Sequence, residues 1–145
     1  MLNIKIQRIN AETKLPTKAT SGSNAYDLYS PIDTQVYSGD VTKIGLGFKL
    51  AIPAGFVGLV CTRSGKAYSN KINVINAPGV VDSDYRGEIG VLLFNESTEY
   101  GKYEVKKHDK IAQILFVKSE DVEFDEITSL DNTDRGAGGF GSTGV

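Results

Sequence analysis

The sequence predicts an all-β domain of the barrel or sandwich class. Residues 42–50 alternate strictly between apolar and polar or glycine positions, which is the period of a half-buried strand. Several short apolar runs recur along the chain, and turn-forming residues separate most of them. With 145 residues, the chain has the length of one domain and can bury about 70% of its unfolded surface.

Taken in chain order, the apolar runs predict strands, beginning with the near-alternation of Ile4, Ile6 and Ile9. The later runs are 42–50, 56–60, 72–75, 89–94 and 111–117, with turn signals at 53–55, 64–65, 77–79 and 100–101. The run 111–117 has the composition of either a helix or a buried strand. Its length of about seven residues and its Phe and Val ending favour a strand.

The end of the chain differs from the rest, because five of its last ten residues are glycine. A segment with so few side chains to bury cannot offset the entropy lost on ordering. The sequence therefore predicts a domain over residues 1–134 and a glycine-rich arm over 135–145 that is mobile in the free protein.

The composition excludes several classes of function. One Cys cannot form an intrachain disulfide, and one Cys with one His cannot build a Cys/His zinc site. The net charge of −2 argues against a nucleic-acid partner, and no apolar run has the length of a membrane span. The first residues lack the order of a signal peptide, so we expect a cytoplasmic protein, or one in the host cytoplasm if a virus or phage encodes it.

Arginine placement points to a polyanionic ligand. The chain has four arginines, and Arg63, Arg86 and Arg135 each lie beside or close to a glycine. Arginine binds phosphate through two parallel donors, and glycine lets backbone N–H groups approach an anion. A single arginine beside a glycine would more often be a turn with a solvated arginine. Because three of the four arginines have this setting, an anionic ligand is the better interpretation.

The arm contains G-x-G-x-x-G, at Gly136, Gly138 and Gly141, but no helix can follow it, so it is not a dinucleotide fingerprint. It can still wrap phosphates with main-chain N–H groups, with the Arg135 guanidinium and with the hydroxyls of Ser142 and Thr143. Phe140 could then cover an aromatic or sugar face. The alternative is a disordered low-complexity tail.

A carboxylate cluster lies at residues 82–87. In a period-two strand or hairpin, Asp82 and Asp84 would share one face and Tyr85 would point oppositely. A carboxylate can serve as general base toward water. The alternative is a polar turn, which spacing alone favours. Ser64 as a nucleophile has little support, because His108 is the only histidine that could activate it.

Five segments occur in a fixed order along the chain: Asn24-Ala25-Tyr26-Asp27-Leu28-Tyr29-Ser30, Arg63-Ser64-Gly65, 79–87, Asp109-Lys110-Ile111-Ala112-Gln113 and 135–144. Together they resemble the five motifs of the trimeric dUTP pyrophosphatases (dUTPases), over essentially the whole chain. The third and fifth segments are highly specific, and the others are weak alone but correctly placed.

The resemblance implies jelly-roll-like β-barrel or β-clip subunits that form a homotrimer. Each active site would be shared among three chains, with the third segment from one neighbour and the glycine arm from another. The implied reaction converts dUTP and water to dUMP and pyrophosphate, with Mg²⁺ bound by the triphosphate. It would lower dUTP and supply dUMP for thymidylate synthesis.

Carried over by position, Asp82 would be the general base, Gln113 would position phosphates and water, and Asp27 would hold water ligands of Mg²⁺. Tyr85 would stack on the deoxyribose and exclude a 2′-hydroxyl, and Asn76 would read uracil within a tight hairpin. The residues that would bind phosphates or cover the base are Arg63, Ser64, Gly65, Arg135, Phe140, Gly141, Ser142 and Thr143.

Three positions depart from the family pattern. His108-Asp109-Lys110 stands where Gly-Asp-Arg is usual, Lys66 where an apolar residue is frequent, and Asn24-Ala25 where Ala-Gly is usual. Two rival functions are a dCTP deaminase on a related fold and a non-catalytic nucleotide-binding β protein. The deaminases lack the closing glycine arm, and Asp82, Gln113 and the full arm together argue against lost catalysis.

Overall fold

The computed structural model describes residues 1–99 and 101–141, and its regular elements are nearly all strands. In order they are β1 (Lys5–Arg8), β2 (Tyr26–Tyr29), β3 (Thr34–Tyr37), β4 (Val41–Ala51), β5 (Phe56–Cys61), α1 (Ser64–Asn70), β6 (Ile72–Val74), β7 (Gly79–Val81), β8 (Glu88–Asn95), β9 (Lys102–Val105) and β10 (Lys110–Lys118). The predicted all-β class is confirmed. No helix in the described ranges is long and apolar enough to cross a membrane.

The strands form three antiparallel sheets. The first sheet has the order β1-β4-β8-β6, the second β2-β10-β5-β7, and a small third sheet pairs β3 with β9. Strands that follow one another in sequence often lie in different sheets, so the chain crosses repeatedly between them. This crossing brings distant segments of the sequence side by side.

Alternation along β4 builds the core, as the sequence predicts. The buried side chains of β4 are Ile44, Leu46, Phe48 and Leu50, and the residues between them are more exposed. The ambiguous run 111–117 is a strand within β10, which lies between β2 and β5 and buries Ile111, Ala112 and Ile114. Leu115, Phe116 and Val117 of the same strand are half-buried, so apolar residues on both faces of β10 are at least partly shielded from solvent.

Two elements differ from the expectation. Residues 64–65, which read as a turn, begin α1, and no side chain of this helix is buried. A helix without a buried stripe has no apolar periodicity, so the sequence carried no signal for it. In β1, all four residues are exposed although the strand pairs with β4, so the near-alternation at the start of the chain does not mark a buried face.

Candidate active site

The centre of the second sheet aligns two of the predicted site residues. Gln113 of β10 lies opposite Asp27 of β2 on one side and opposite Cys61 of β5 on the other. Directly opposed residues on antiparallel strands share a face. Because the adjacent Ile114 is fully buried in the core, Asp27 and Gln113 belong to the opposite face of this sheet.

Asp27 is a buried carboxylate held between two cations. The Arg63 Nε donates a 2.9 Å hydrogen bond to Asp27 Oδ1, and the Lys110 Nζ lies 2.7 Å from Oδ2. The Asp27 side chain is 8% exposed, whereas Arg63 and Lys110 are 29% and 39% exposed. Two cations against one anion leave a net positive cluster that still reaches solvent, which suits a phosphate group.

The Lys110 contact differs from the Arg63 contact in kind. Lys110 approaches Oδ2 closely, but this oxygen has no aligned hydrogen-bond partner, so the pair is held by charge proximity. Arg63 is aligned and also donates from Nη1 to the Lys110 carbonyl at 3.3 Å. A lysine therefore stands as a point charge where the family motif usually has arginine.

Gln113, which lies opposite Asp27, also bonds to the segment between β5 and α1. Its Nε2 donates to the Thr62 carbonyl at 3.0 Å, and the Thr62 hydroxyl accepts a 2.8 Å hydrogen bond from the Val74 backbone N–H. Thr62 thus links the second sheet to β6 of the first. The sequence did not select Thr62, which precedes Arg63, as a site residue, and it noted Lys110 only as a departure within the fourth motif.

Arg63, Ser64 and Gly65 lie at the start of α1, shortly after β5. Arg63 is the N-cap residue with an extended backbone, at φ −84° and ψ 130°, and the next two residues form the exposed start of the helix. Arg63 is fixed by its hydrogen bond to Asp27, and Ser64 and Gly65 follow it directly in the chain and are exposed.

Asp82 begins the segment 82–87 that links β7 to β8. The Tyr85 N–H donates to the Asp82 carbonyl at 3.2 Å, so residues 82–85 form a turn, and Asp82 is exposed. The expectation that Asp82 and Asp84 share one face of a period-two strand or hairpin is wrong, because the backbone turns there. The polar-turn alternative describes this segment correctly.

Asn76 lies in the connection between β6 and β7 and is exposed. These two strands belong to different sheets, β6 beside β8 and β7 beside β5. No ladder therefore joins the two strands around Asn76, although the Ala77 N–H closes a turn there on the Val74 carbonyl at 3.0 Å. The Asn76 amide lies close over Gly79, where its Nδ2 would be 3.1 Å from an added Cβ.

Within one chain, Asp82, the predicted general base, lies apart from the cationic cluster of Asp27, Arg63 and Lys110. Val81 lies opposite Gly58 on β5, and Asp82 continues away from the Cys61 end, where Gln113 and Arg63 are found. Gly58 and Cys61 are three residues apart, which is about 10 Å along a strand. Asp82 is thus more than a strand spacing away from the residues that it would act with.

The hydrogen bonds of the described part of the arm are local. Arg135 Nε donates to the Gly138 carbonyl at 2.9 Å, and Gly136 N–H donates to the Thr133 carbonyl at 3.0 Å. Phe140 is fully exposed and Gly141 is exposed. Ser142 and Thr143 lie outside the described residues.

Two departures from the family pattern now have a structural description. His108 has a φ of 73°, in the left-handed region that favours glycine, and its N–H donates to the Ser30 carbonyl at 2.7 Å. This conformation explains why a glycine is usual there. Lys66 lies on α1 and bonds to the Tyr103 hydroxyl, with its ammonium 4.8 Å from the centre of the ring.

The side chains present do not fit a metal ion held by the protein. Among the residues that the structure describes, no group of three His, Cys, Asp or Glu side chains is arranged to hold one. Both oxygens of Asp27 already face cations. A divalent ion at this site would therefore need ligands from the substrate.

Comparison with known proteins decides the family. The dUTPase family model matches residues 11–144. The chain belongs to the dUTPase family. It is 41% identical over 143 residues to a deoxyuridine 5'-triphosphate nucleotidohydrolase of Nautilia profundicola, covering 99% of both chains. It is 43% identical to the protein of that name from Alkaliphilus metalliredigens, covering 100% of this chain and 99% of the relative.

Solved dUTPase structures share this fold. The dUTPase of Staphylococcus bacteriophage 80alpha with dUPNHPP superposes with a TM-score of 0.89 at 22% identity, covering 99% of each chain. The jelly-roll-like expectation thus agrees with the fold of a dUTPase. The predicted dUTPase assignment is confirmed, and the chain is an enzyme that hydrolyses dUTP.

Proposed function

We propose that this dUTPase hydrolyses Mg²⁺-bound dUTP to dUMP and pyrophosphate by attack of water on the α-phosphorus, with Asp82 as general base. The observation that carries the proposal is the exposed Asp82 carboxylate at the start of the turn that ends at Tyr85. A carboxylate in this position can accept a proton from water without a histidine. Attack at phosphorus depends mainly on positioning and charge neutralisation, so cations and N–H donors complete the site.

The cationic cluster supplies the phosphate-binding part of the proposal. Arg63, with Ser64 and Gly65, would bind the triphosphate, and Gln113 would position phosphates and water. The fixed Arg63–Asp27 pair supports this, because a guanidinium held in place loses little entropy on binding an anion.

The nucleoside would be recognised by two separate segments. Tyr85 would stack on the deoxyribose and exclude a 2′-hydroxyl, and Asn76 would read uracil from the connection between β6 and β7. The exposure of both side chains supports these roles, since each is open to a ligand.

Mg²⁺ would arrive on the triphosphate as part of the substrate. The structural Mg(II) ion named for the D95N dUTPase of phage phi11 is consistent with Mg²⁺ use in this fold, although that ion is described as structural. For Asp27, we propose chiefly the positioning of Arg63; holding a water ligand of Mg²⁺ would require Lys110 to move away from Oδ2. The ion would neutralise phosphate charge during the attack.

The distance between Asp82 and the cationic cluster supports an active site shared among the subunits of a homotrimer. A neighbour's Asp82 and Tyr85 would then face the Arg63 and Gln113 of another chain. The arm 135–145 would close over the bound nucleotide as a lid, with Arg135 and Ser142 on phosphates and Phe140 over the base. Residues 1–134 would form the β domain that carries this arm.

The proposed physiological role is to lower dUTP and supply dUMP for thymidylate synthesis. The proposed setting is the cytoplasm, or the host cytoplasm for a virus- or phage-encoded chain. The free thiol of Cys61 agrees with a reducing compartment.

Product analysis tests the reaction. Pyrophosphate release is measured from dUTP, dCTP, dTTP and UTP, with and without Mg²⁺. Of the four nucleotides, we expect only dUTP to release pyrophosphate at a high rate. Removing Mg²⁺ should lower this rate strongly. Ammonia from dCTP would indicate the deaminase alternative, and rates that do not depend on Mg²⁺ would reject the metal dependence.

The Asp82→Asn variant tests the general base. We expect turnover to fall by about 10²–10⁴-fold while dUTP still binds, because the amide keeps the shape and loses the base. The matched control is Asp84→Asn, two residues away in the same exposed segment, which should stay within about threefold of the parent. Normal turnover of Asp82→Asn would refute the assignment.

A further inference from the structure

We propose that Glu88 is a positioning residue that sets the discrimination between dUTP and UTP by fixing the place of Tyr85. Glu88 is the first residue of β8, directly after the segment 82–87. The inference rests on the proposed role of Tyr85 in excluding a 2′-hydroxyl. Glu88 itself is not proposed to touch the substrate.

The Glu88 side chain closes an irregularity between β4 and β8. Gly45 pairs with Gly90 and Lys49 pairs with Glu88, so four steps along β4 match only two along β8. The Glu88 Oε1 accepts a 2.7 Å hydrogen bond from the Gly47 N–H within this bulge. The carboxylate thereby satisfies a backbone donor that the ladder leaves without a strand partner.

The backbone of β4 leaves room for this carboxylate because two glycines stand there. Gly47 has a φ of 73°, where a side chain would be strained. At Gly45, an added Cβ would lie 2.6 Å from Glu88 Oε1 and 2.8 Å from its Cδ. The Glu88 side chain therefore occupies a place shaped for it, and β8 begins at a fixed position against β4.

The main chain of the same residue holds Tyr85. The Tyr85 hydroxyl donates to the Glu88 carbonyl at 3.1 Å. Between them, Gly87 lies so close beneath the phenol that an added Cβ would collide with the Tyr85 hydroxyl. Glu88 is thus anchored to β4 through its side chain and anchors Tyr85 through its carbonyl.

This arrangement gives Glu88 a specific effect. If its side chain is lost, the start of β8 can shift against the β4 bulge, and the Tyr85 ring shifts with the carbonyl that holds it. Because the Tyr85 ring is proposed to leave no room for a 2′-hydroxyl, a small displacement of the ring would let the ribose of UTP bind. The expected defect is therefore weaker rejection of UTP, beyond any general loss of rate.

The experiment compares kcat/KM for dUTP and UTP in Glu88→Ala and Glu88→Gln. Alanine removes the acceptor for Gly47, so we expect the dUTP/UTP ratio to fall by about tenfold or more. Glutamine keeps an oxygen acceptor, so its ratio should stay within about threefold of the parent. Glu96→Ala, an exposed glutamate beyond the other end of β8, is the matched control and should keep the parent ratio.

A second pair of variants tests the position of the Glu88 carboxylate while leaving Glu88 itself unchanged. Gly45→Ala should displace the Glu88 carboxylate and lower the ratio, whereas Gly90→Ala, its partner across the ladder, meets only an ordinary 3.5 Å contact and should not. This pair decides the matter if Glu88→Ala does not fold.

A parent-like dUTP/UTP ratio in folded Glu88→Ala, or in Gly45→Ala, would overturn the inference while leaving dUTP hydrolysis intact. Failure of the parent to discriminate against UTP would instead refute the proposed role of Tyr85. A merely structural role for Glu88 would lower the unfolding midpoint and leave the ratio unchanged, which would also overturn the inference.

Discussion

Asp27 organises two cations that come from distant parts of the sequence. Arg63 follows β5 and Lys110 begins β10, and both meet the carboxylate because β10 pairs with β2 on one side and β5 on the other. Removing one member of such a cluster leaves the others partly buried and uncompensated, which costs more than the pair contributes. The carboxylate is thus expected to stabilise the fold and, by positioning Arg63, to support the proposed phosphate binding.

Asp27→Ala should lower the free energy of unfolding by about 2–3 kcal/mol, less than the ~3–5 of a fully buried pair because both cations keep some solvent. Urea unfolding of the parent and the variant measures this. The control Asp40→Ala removes an exposed carboxylate and should cost less than about 0.5 kcal/mol. Equal stability of the two variants would contradict the structural role of Asp27.

His108 offers a second test at a single residue, because its φ of 73° is unfavourable for a residue with a Cβ. His108→Gly should raise the free energy of unfolding by about 0.5–1 kcal/mol, since glycine takes this conformation without strain. His108→Ala is the control: it removes the imidazole but keeps the Cβ, so it should not stabilise. Stabilisation by both variants would show that the imidazole, and not the backbone, was responsible.

At the scale of elements, the sequence predicted what alternation and apolar runs can encode. β4 was predicted because it alternates strictly, and β10 because a short apolar run that ends in Phe and Val favours a strand. α1 was not, because nothing on it is buried. The motif residues stay predictions as site residues. The grouping of Asp27 with Lys110 needed the strand register, and the crossing from β6 to β7 needed the sheet order. Strand register and sheet order both depend on contacts between residues that are far apart in the sequence, so local patterns do not encode them.

The glycine arm is the element whose removal should separate function from folding. Deleting residues 135–145 should lower kcat/KM for dUTP by about 10²-fold or more and leave the unfolding midpoint nearly unchanged, because the described part of the arm is largely exposed and bonds locally. Kinetics and thermal unfolding measure the two effects. Val122→Ala, at an exposed position in the preceding segment, is the control and should keep full activity.

An arm-deleted chain with parent activity would reject the lid. An arm-deleted chain that unfolds at a much lower temperature would show instead that the arm contributes to the β domain.

At the scale of the whole molecule, the residues proposed for the active site lie in two separate places on one chain. The exposed Asp82 and Tyr85 lie in the turn after β7, while Arg63 and Gln113 lie around the opposite end of β5. These two groups of residues are too far apart to act on one substrate within a single chain. In a closed homo-oligomer, one group of each copy can lie against the other group of its neighbour. A homotrimer should therefore give a solution mass three times the chain mass of 15.6 kDa.

Mixed trimers test the sharing directly. Asp82→Asn lacks the base and keeps the arm, and the chain deleted from residue 135 keeps the base and lacks the arm. If base and arm come from different chains, a site in a random equal mixture is complete with probability one half times one half, so about a quarter of the parent rate should return. The measurement is pyrophosphate release after the two inactive variants are unfolded together and refolded, with each refolded alone as the control. If both groups came from the same chain, no complete site could form and the mixture would stay as inactive as its components.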